Sequence, residues 1–208
     1  MSPAPSDAVI LIHGLAANWL VMSPLARRLK KQFCRVVNWS YSSLWSRIER
    51  HGEQMAAELE ALDQDPDVQR IHLVTHSMGG IVARLALARS RPAKLGRMVM
   101  LAPPNTGSHV ARSLAPMLGG ICPPLIQLSD AEASFVASLP PPSQVEIGII
   151  AARSDFLVAE PRTHLPTETQ HIILPGMHSS VLWRQETAEQ VATFLTSGKF
   201  RQNSEQPA

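Results

Sequence analysis

Ile71-His72-Leu73-Val74-Thr75-His76-Ser77-Met78-Gly79-Gly80-Ile81-Val82-Ala83-Arg84 is the stretch on which the reading of this chain turns. An apolar run leads into a serine, two glycines follow after one residue, and a small, apolar pattern then begins. That order predicts a strand, a very tight turn and a helix, with Ser77 at the apex, which is the layout of a nucleophile elbow. A serine hydroxyl is a weak nucleophile at neutral pH and needs an adjacent base and open space above it. The turn supplies that space. It also sets free backbone N–H groups at a helix N-terminus, where they can stabilise a developing oxyanion. Strand and helix pass closely there, so the residues two before and two after the serine must be small. Gly79 meets that demand. Thr75 stands where the usual G-x-S-x-G pattern has glycine. Taken alone, the stretch also fits a serine N-cap on an ordinary strand-to-helix turn.

Working outward, Val9-Ile10-Leu11-Ile12 is a continuous apolar run ending in His13-Gly14, as expected of a strand buried on both faces of a parallel sheet. Helical spacing runs over 17–31, and Cys34 to Trp39 reads as the next strand, with Cys34 a free, buried thiol. An amphipathic helix follows over 46–62, then a turn at 63–67, the strand 70–75, and a helix over 79–90. Residues 96–102, 145–152 and 171–174 read as further strands, and 185–195 as a closing helix. The alternation predicts an α/β fold: a mostly parallel sheet of about six strands with helices on both faces. We expect one domain over 1–208, with its core in 8–102 and 144–196 and a polar, frayed tail from 197. The segment 103–143 carries eight prolines and Gly119-Gly120, so long regular elements are not expected in it. Its leucines and isoleucines argue for a compact, partly helical cap over the C-terminal edge of the sheet, or else a packed connector.

If Ser77 is a nucleophile, later strands should deliver a histidine and a carboxylate. Asp155 follows the strand 145–152, and His178 follows the strand 171–174. Ser77, Asp155 and His178 thus fall in the order Ser, Asp, His, each at the C-terminal end of a strand, the edge where sites form in open α/β sheets. His178 would serve as base and Asp155 would orient it, with Asp130 and Glu160 as rival carboxylates. The oxyanion donors would be the N–H groups of Met78 and of Leu15, with Gly14 providing an unusual φ that turns Leu15 inward. His13 is expected to structure its loop. His76 is expected to support the elbow while pointing away from the base.

Composition narrows the alternatives. The 208 residues are 45% hydrophobic and 17% charged, with net charge +2, which gives no electrostatic case for nucleic acid as a partner. His51, His72, His109, His164 and His171 show no metal-ligand spacing, and the two cysteines add none, so neither a metal nor any cofactor is expected. No nucleotide-binding glycine pattern occurs. No run is long enough to span a membrane, and the start of the chain lacks a cationic leader, so the expectation is a soluble cytoplasmic protein.

With these residues in view, the chain resembles the α/β-hydrolase superfamily, and within it the small bacterial lipase and esterase-like members. The likeness rests on Leu11-Ile12-His13-Gly14-Leu15, on Val74 to Gly80, on Leu101-Ala102-Pro103-Pro104-Asn105-Thr106-Gly107-Ser108, and on the Asp155 and His178 segments. It covers Val9 to about Leu195. The departures are Thr75 and the lack of the early antiparallel strands found in larger members. The resemblance implies a serine-hydrolase mechanism on an ester. An apolar cap beside Leu15, Trp19 and Met78 would favour a small-molecule carboxylic ester with a short to medium apolar acyl group. A thioesterase or acyltransferase with the same three residues, or a non-catalytic binding protein that keeps the fold, are the competing expectations.

Overall fold

In the computed structural model, which describes residues 6–131 and 134–201, seven helices and six strands follow one another along the chain. The strands are β1 (Ser6–Ile12), β2 (Arg35–Trp39), β3 (Val68–His76), β4 (Leu95–Leu101), β5 (Glu146–Ala152) and β6 (Gln170–Leu174). The helices are α1 (Trp19–Leu29), α2 (Ile48–Gln64), α3 (Met78–Arg89), α4 (His109–Leu118), α5 (Pro123–Gln127), α6 (Phe135–Ser138) and α7 (Gln185–Ser197). The strands form one sheet in the order β2-β1-β3-β4-β5-β6, every pair parallel. The fold is a single α/β domain built on a six-stranded parallel sheet with helices on both faces.

Two-residue periodicity divides the core. Ala8, Ile10 and Ile12 of β1 pack on one face with Ile48, Met55 and Leu59 of α2 and Ile81 and Val82 of α3. Val9 and Leu11 point the other way, toward Met22, Leu25 and Leu29 of α1 and Val191, Phe194 and Leu195 of α7. Both sets are almost fully buried, as the continuous apolar strands required. The chain leaves β1 for β2 on one side and returns to β3 on the other. The crevice between the C-terminal ends of β1 and β3 is therefore the switch point of the sheet.

Between β4 and β5 the proline-rich segment folds as α4, α5 and α6. Arg84, buried on α3, donates to the carbonyls of Asn105 at 3.0 Å and Leu139 at 2.7 Å, tying both ends of the segment to the core. Burial lowers the Arg84 pKa to about 10, which leaves it charged at neutral pH. Against expectation, α4 runs ten residues with Pro116 inside it. The helix buries only Ala111, so the carbonyl that Pro116 leaves without a donor faces water.

Two further expectations are corrected. Cys34 precedes β2 and is exposed, whereas Cys122 is the buried free thiol. The chain after α7 is packed as far as 201: Phe200 is buried against Phe194, with ring centroids 4.8 Å apart. The rest of the expected polar tail, from 202, and residues 1–5 lie outside the described residues. Among the described residues no helix is long and apolar enough to cross a membrane.

Candidate active site

The strand β3 ends at His76, and Ser77 turns the chain into α3 with φ 52° and ψ −126°, a strained region for a residue with a Cβ. The turn is held from below: Ser77 N–H donates to the Leu101 carbonyl of β4 at 2.9 Å, and Gly80 N–H donates to the Ser77 carbonyl at 2.9 Å. Close packing explains both glycines. A Cβ on Gly79 would stand 2.4 Å from the Ile12 carbonyl oxygen, and one on Gly80 would stand 2.5 Å from Met100 Cε and 3.3 Å from Thr75 Oγ1. Thr75 therefore fits beneath the helix because the residue above it, Gly80, has no side chain. Its hydroxyl is buried without a hydrogen-bond partner.

The loop after β1 comes up against the elbow. A Cβ on Gly14 would lie 2.9 Å from Ser77 Cβ and 3.3 Å from His76 Nδ1. Gly14 is thus required for close approach and not for an unusual φ; the left-handed residue of this loop is Ala16, with φ 54°. His13 braces the loop. Its Nδ1–H donates to the Gly14 carbonyl at 2.9 Å, and its Nε2 accepts the Tyr41 N–H at 3.3 Å. The Tyr41 hydroxyl donates to the His13 carbonyl at 2.8 Å, and the two rings stack at 4.3 Å. Among the described residues, the N–H groups of Leu15 and Met78 have no protein acceptor.

Asp155 and His178 meet above the ends of β5 and β6. His178 Nδ1–H donates to Asp155 Oδ2 at 2.7 Å, and Asp155 Oδ1 accepts the N–H groups of Leu157 and Val158, each at 2.9 Å. Burial opposes ionisation of Asp155. The hydrogen bond and charge of His178, with the two amides, outweigh it and hold the carboxyl below its ordinary pKa. The rivals lie elsewhere. Asp130 is paired with Arg112 and Arg162, and Glu160 faces His164.

His76 departs from expectation. Its ring turns toward the loop that carries His178, with its centroid 4.9 Å from that of His178, and its Nε2–H donates to the His178 carbonyl at 3.0 Å. Burial, reinforced by the neighbouring His178, drives its pKa down to about 3, so it is a neutral strut. Sequence placed it beside Ser77 but carried no sign of a partner 102 residues away.

Ser77, His76 and His178 open into one cavity of about 550 Å³. Leu15, Ala16, Leu20, Val21, Leu157 and Val158 line one part of it. The proline-rich segment supplies Ala111, Leu114, Leu125 and Leu128. Of the residues expected to border it, Leu15 does, while Trp19 is half-exposed outside it and Met78 is buried in the core. No hydrogen bond joins Ser77 Oγ to His178 among the described residues. The structure therefore joins Asp155 to His178 directly, and Ser77 and His178 line one cavity.

The sequence profile described as the alpha/beta hydrolase family matches residues 9–201. No curated protein sequence matches the chain. Among solved structures it is similar to the mature form of the Bacillus licheniformis lipase BlEst2, at TM-score 0.69 and 18% identity, covering 94% of this chain and 95% of that one. It is also similar to Aspergillus fumigatus lipase B, at TM-score 0.75 and 19% identity, covering 91% of this chain and 52% of that one. A third likeness is to the Pyrococcus furiosus esterase Pf2001, at TM-score 0.65 and 19% identity, covering 92% of this chain and 83% of that one.

Proposed function

The chain belongs to the alpha/beta hydrolase family, and from that premise we propose that it hydrolyses carboxylic esters of short to medium acyl chain through an acyl-enzyme on Ser77. The observation that best supports this reading is the 2.7 Å contact of His178 Nδ1 with Asp155, made at the cavity onto which the strained Ser77 elbow opens.

With Nδ1 committed to Asp155, Nε2 is the nitrogen of His178 left to take a proton. It accepts the Ser77 proton as Oγ attacks the ester carbonyl, a contact that tightens as the substrate seats. The N–H groups of Leu15 and Met78 receive the oxyanion. Collapse expels the alcohol, protonated by His178. Water, deprotonated by the same nitrogen, then attacks the acyl-enzyme and restores Ser77. Asp155 stays ionised and stabilises the imidazolium at each stage. The acyl group lies against Leu114, Leu125, Leu128 and Val158, an apolar lining of a size suited to a small ester. The likeness to lipases and esterases agrees with this substrate class. An exposed free thiol at Cys34 fits a reducing compartment, and we place the protein in the cytoplasm.

The test is a panel of p-nitrophenyl esters of increasing acyl length, with matched thioesters, run on wild type beside Ser77→Ala. Ester cleavage is expected to fall by at least about ten-thousandfold in the variant. Cleavage surviving in Ser77→Ala removes Ser77 as nucleophile, and a preference for thioesters moves the activity to thioester hydrolysis. A fluorophosphonate adduct mapped to any residue but Ser77 also overturns the assignment.

A further inference from the structure

A second cluster of chemistry-bearing side chains lies on the far side of the loop that carries Asp155. Glu160 opens a short 3-10 turn, His164 follows it by one turn, and His171 projects from the edge strand β6. One ligand atom from each falls within 4.8 Å of the other two. His164 Nε2 lies 2.9 Å from Glu160 Oε1, and His171 Nε2 lies 3.9 Å from the same oxygen. The two imidazoles stack at 4.0 Å with planes 16° apart, so joint coordination requires the part-exposed His164 ring to swing out of the stack and bring its in-plane nitrogen toward that of His171. Ligands on a tetrahedral Zn²⁺ are roughly 3.3–3.5 Å apart, given bonds of about 2.0–2.1 Å. The two observed separations bracket that value.

An independent feature points the same way. His164 Nδ1–H donates to Glu168 Oε1 at 2.7 Å, and the other oxygen of Glu168 accepts the Leu165 N–H at 2.9 Å. A carboxylate anchored to the backbone thus holds Nδ1 of His164, the outer-shell arrangement found behind metal-bound histidines, while Nε2, hydrogen-bonded to Glu160 Oε1 at 2.9 Å, gives up that contact to the metal. His171 Nε2 contacts Thr163 Oγ1 at 2.8 Å, and that hydroxyl donates to the Glu160 carbonyl at 2.6 Å. With the Thr163 hydroxyl hydrogen spent on that carbonyl, His171 Nε2–H is the donor to Oγ1, so coordination shifts the His171 proton to Nδ1 and exchanges the Thr163 contact for a metal bond.

We propose that Glu160, His164 and His171 bind a divalent transition-metal cation of the Zn²⁺ type, with water completing the coordination. Two imidazoles and one carboxylate are a donor set suited to zinc. The exposure of Glu160 and His164 gives the ion and its water access from solvent. The site would clip the loop that carries Asp155, Leu157 and Val158 to β6, which connects it to the cavity through the backbone. Spacing along the chain concealed it, because His171 meets His164 only when the loop folds back on the strand.

The test is calorimetric titration of the chelator-treated full chain with ZnCl₂, paired with its melting temperature with and without the metal. One equivalent is expected to bind with a Kd in the micromolar range or tighter, raising Tm by about 5 °C at a hundredfold excess over Kd. Glu160→Gln and His164→Ala each weaken binding by at least about thirtyfold, and Glu168→Gln by about tenfold. His109→Ala, at an exposed histidine elsewhere, binds as wild type does. Circular dichroism of the metal-free variants establishes that they are folded. The proposal is overturned if wild type shows no saturable 1:1 binding, or if folded Glu160→Gln and His164→Ala bind Zn²⁺ as tightly as wild type.

Discussion

The His76 ring is wedged beneath the loop that carries His178, its Nε2–H held 3.0 Å from the carbonyl oxygen of His178, so the residue before Ser77 fixes the backbone of His178. Because His76 is buried with a pKa near 3, it stays neutral in the folded state while the unfolded chain protonates it near the ordinary imidazole value of 6.5. The unfolded state then binds more protons between those values, and stability falls as pH drops from 6.5 toward 3. This one group contributes on the order of 1.4 kcal/mol per pH unit to that slope. Urea unfolding of wild type and His76→Gln should therefore show a stability gap at pH 7 that narrows by up to about 3 kcal/mol at pH 4. Equal slopes in the two proteins would show that His76 does not remain neutral.

Asp155 and Asp130 carry the same carboxylate in different surroundings, the one on His178 and the other on two arginines. Asp155→Asn keeps the size of the side chain but removes the charge that orients His178, so kcat should drop by about 10³–10⁴-fold with the fold intact. Asp130 is buried between Arg112 and Arg162. Because both arginines are half-exposed and stay solvated, Asp130→Asn should cost about 1 kcal/mol of stability while leaving kcat per folded molecule within about threefold of wild type. Parallel denaturation curves and ester kinetics discriminate the two, and the reverse pattern would exchange the roles.

The backbone contact of Gly79 is less forgiving than that of Gly14. A methyl at 79 meets two backbone carbonyl oxygens, of Ile12 and His13, at 2.4 and 2.7 Å, and neither can move without shifting β1. Gly79→Ala should destabilise by more than about 3 kcal/mol. A methyl at 14 meets the Ser77 side chain at 2.9 Å, so Gly14→Ala should fold and lose activity, as read by circular dichroism beside ester turnover. A stable Gly79→Ala protein would mean that the two elements are not in register as described.

Much of this was legible in the sequence because it is local. Apolar runs marked the six strands, and the glycine pair after Ser77 marked the turn. Asp155 and His178 stand directly after their strands, so topology alone carried them to one edge. What was not legible depends on packing between distant segments. The inward turn of His76, the approach of Gly14 to Ser77, and the meeting of His164 with His171 each require a loop conformation that no periodicity encodes. Cys34 was misplaced because a residue at the mouth of a strand shares its apolar pattern without its burial. Pro116 argued against a helix that survives because solvent takes the place of the missing donor.

Thr75, where the sequence departs from the usual elbow glycine, yields the sharpest stability prediction. Its hydroxyl is buried without a partner, and an unpaired buried hydroxyl costs about 1–3 kcal/mol. Thr75→Val keeps the shape beneath α3, removes that polar group and should raise stability by about 1 kcal/mol with turnover unchanged. Thr75→Gly restores the common pattern, but it leaves a void under Gly80 and frees the backbone of a central strand. It should lower stability by about 2 kcal/mol and leave kcat within a few-fold of wild type. If Thr75→Gly instead raised kcat tenfold or more, the threonine would be distorting the elbow, and the Met78 N–H proposed as an oxyanion donor would be misaligned in the native protein.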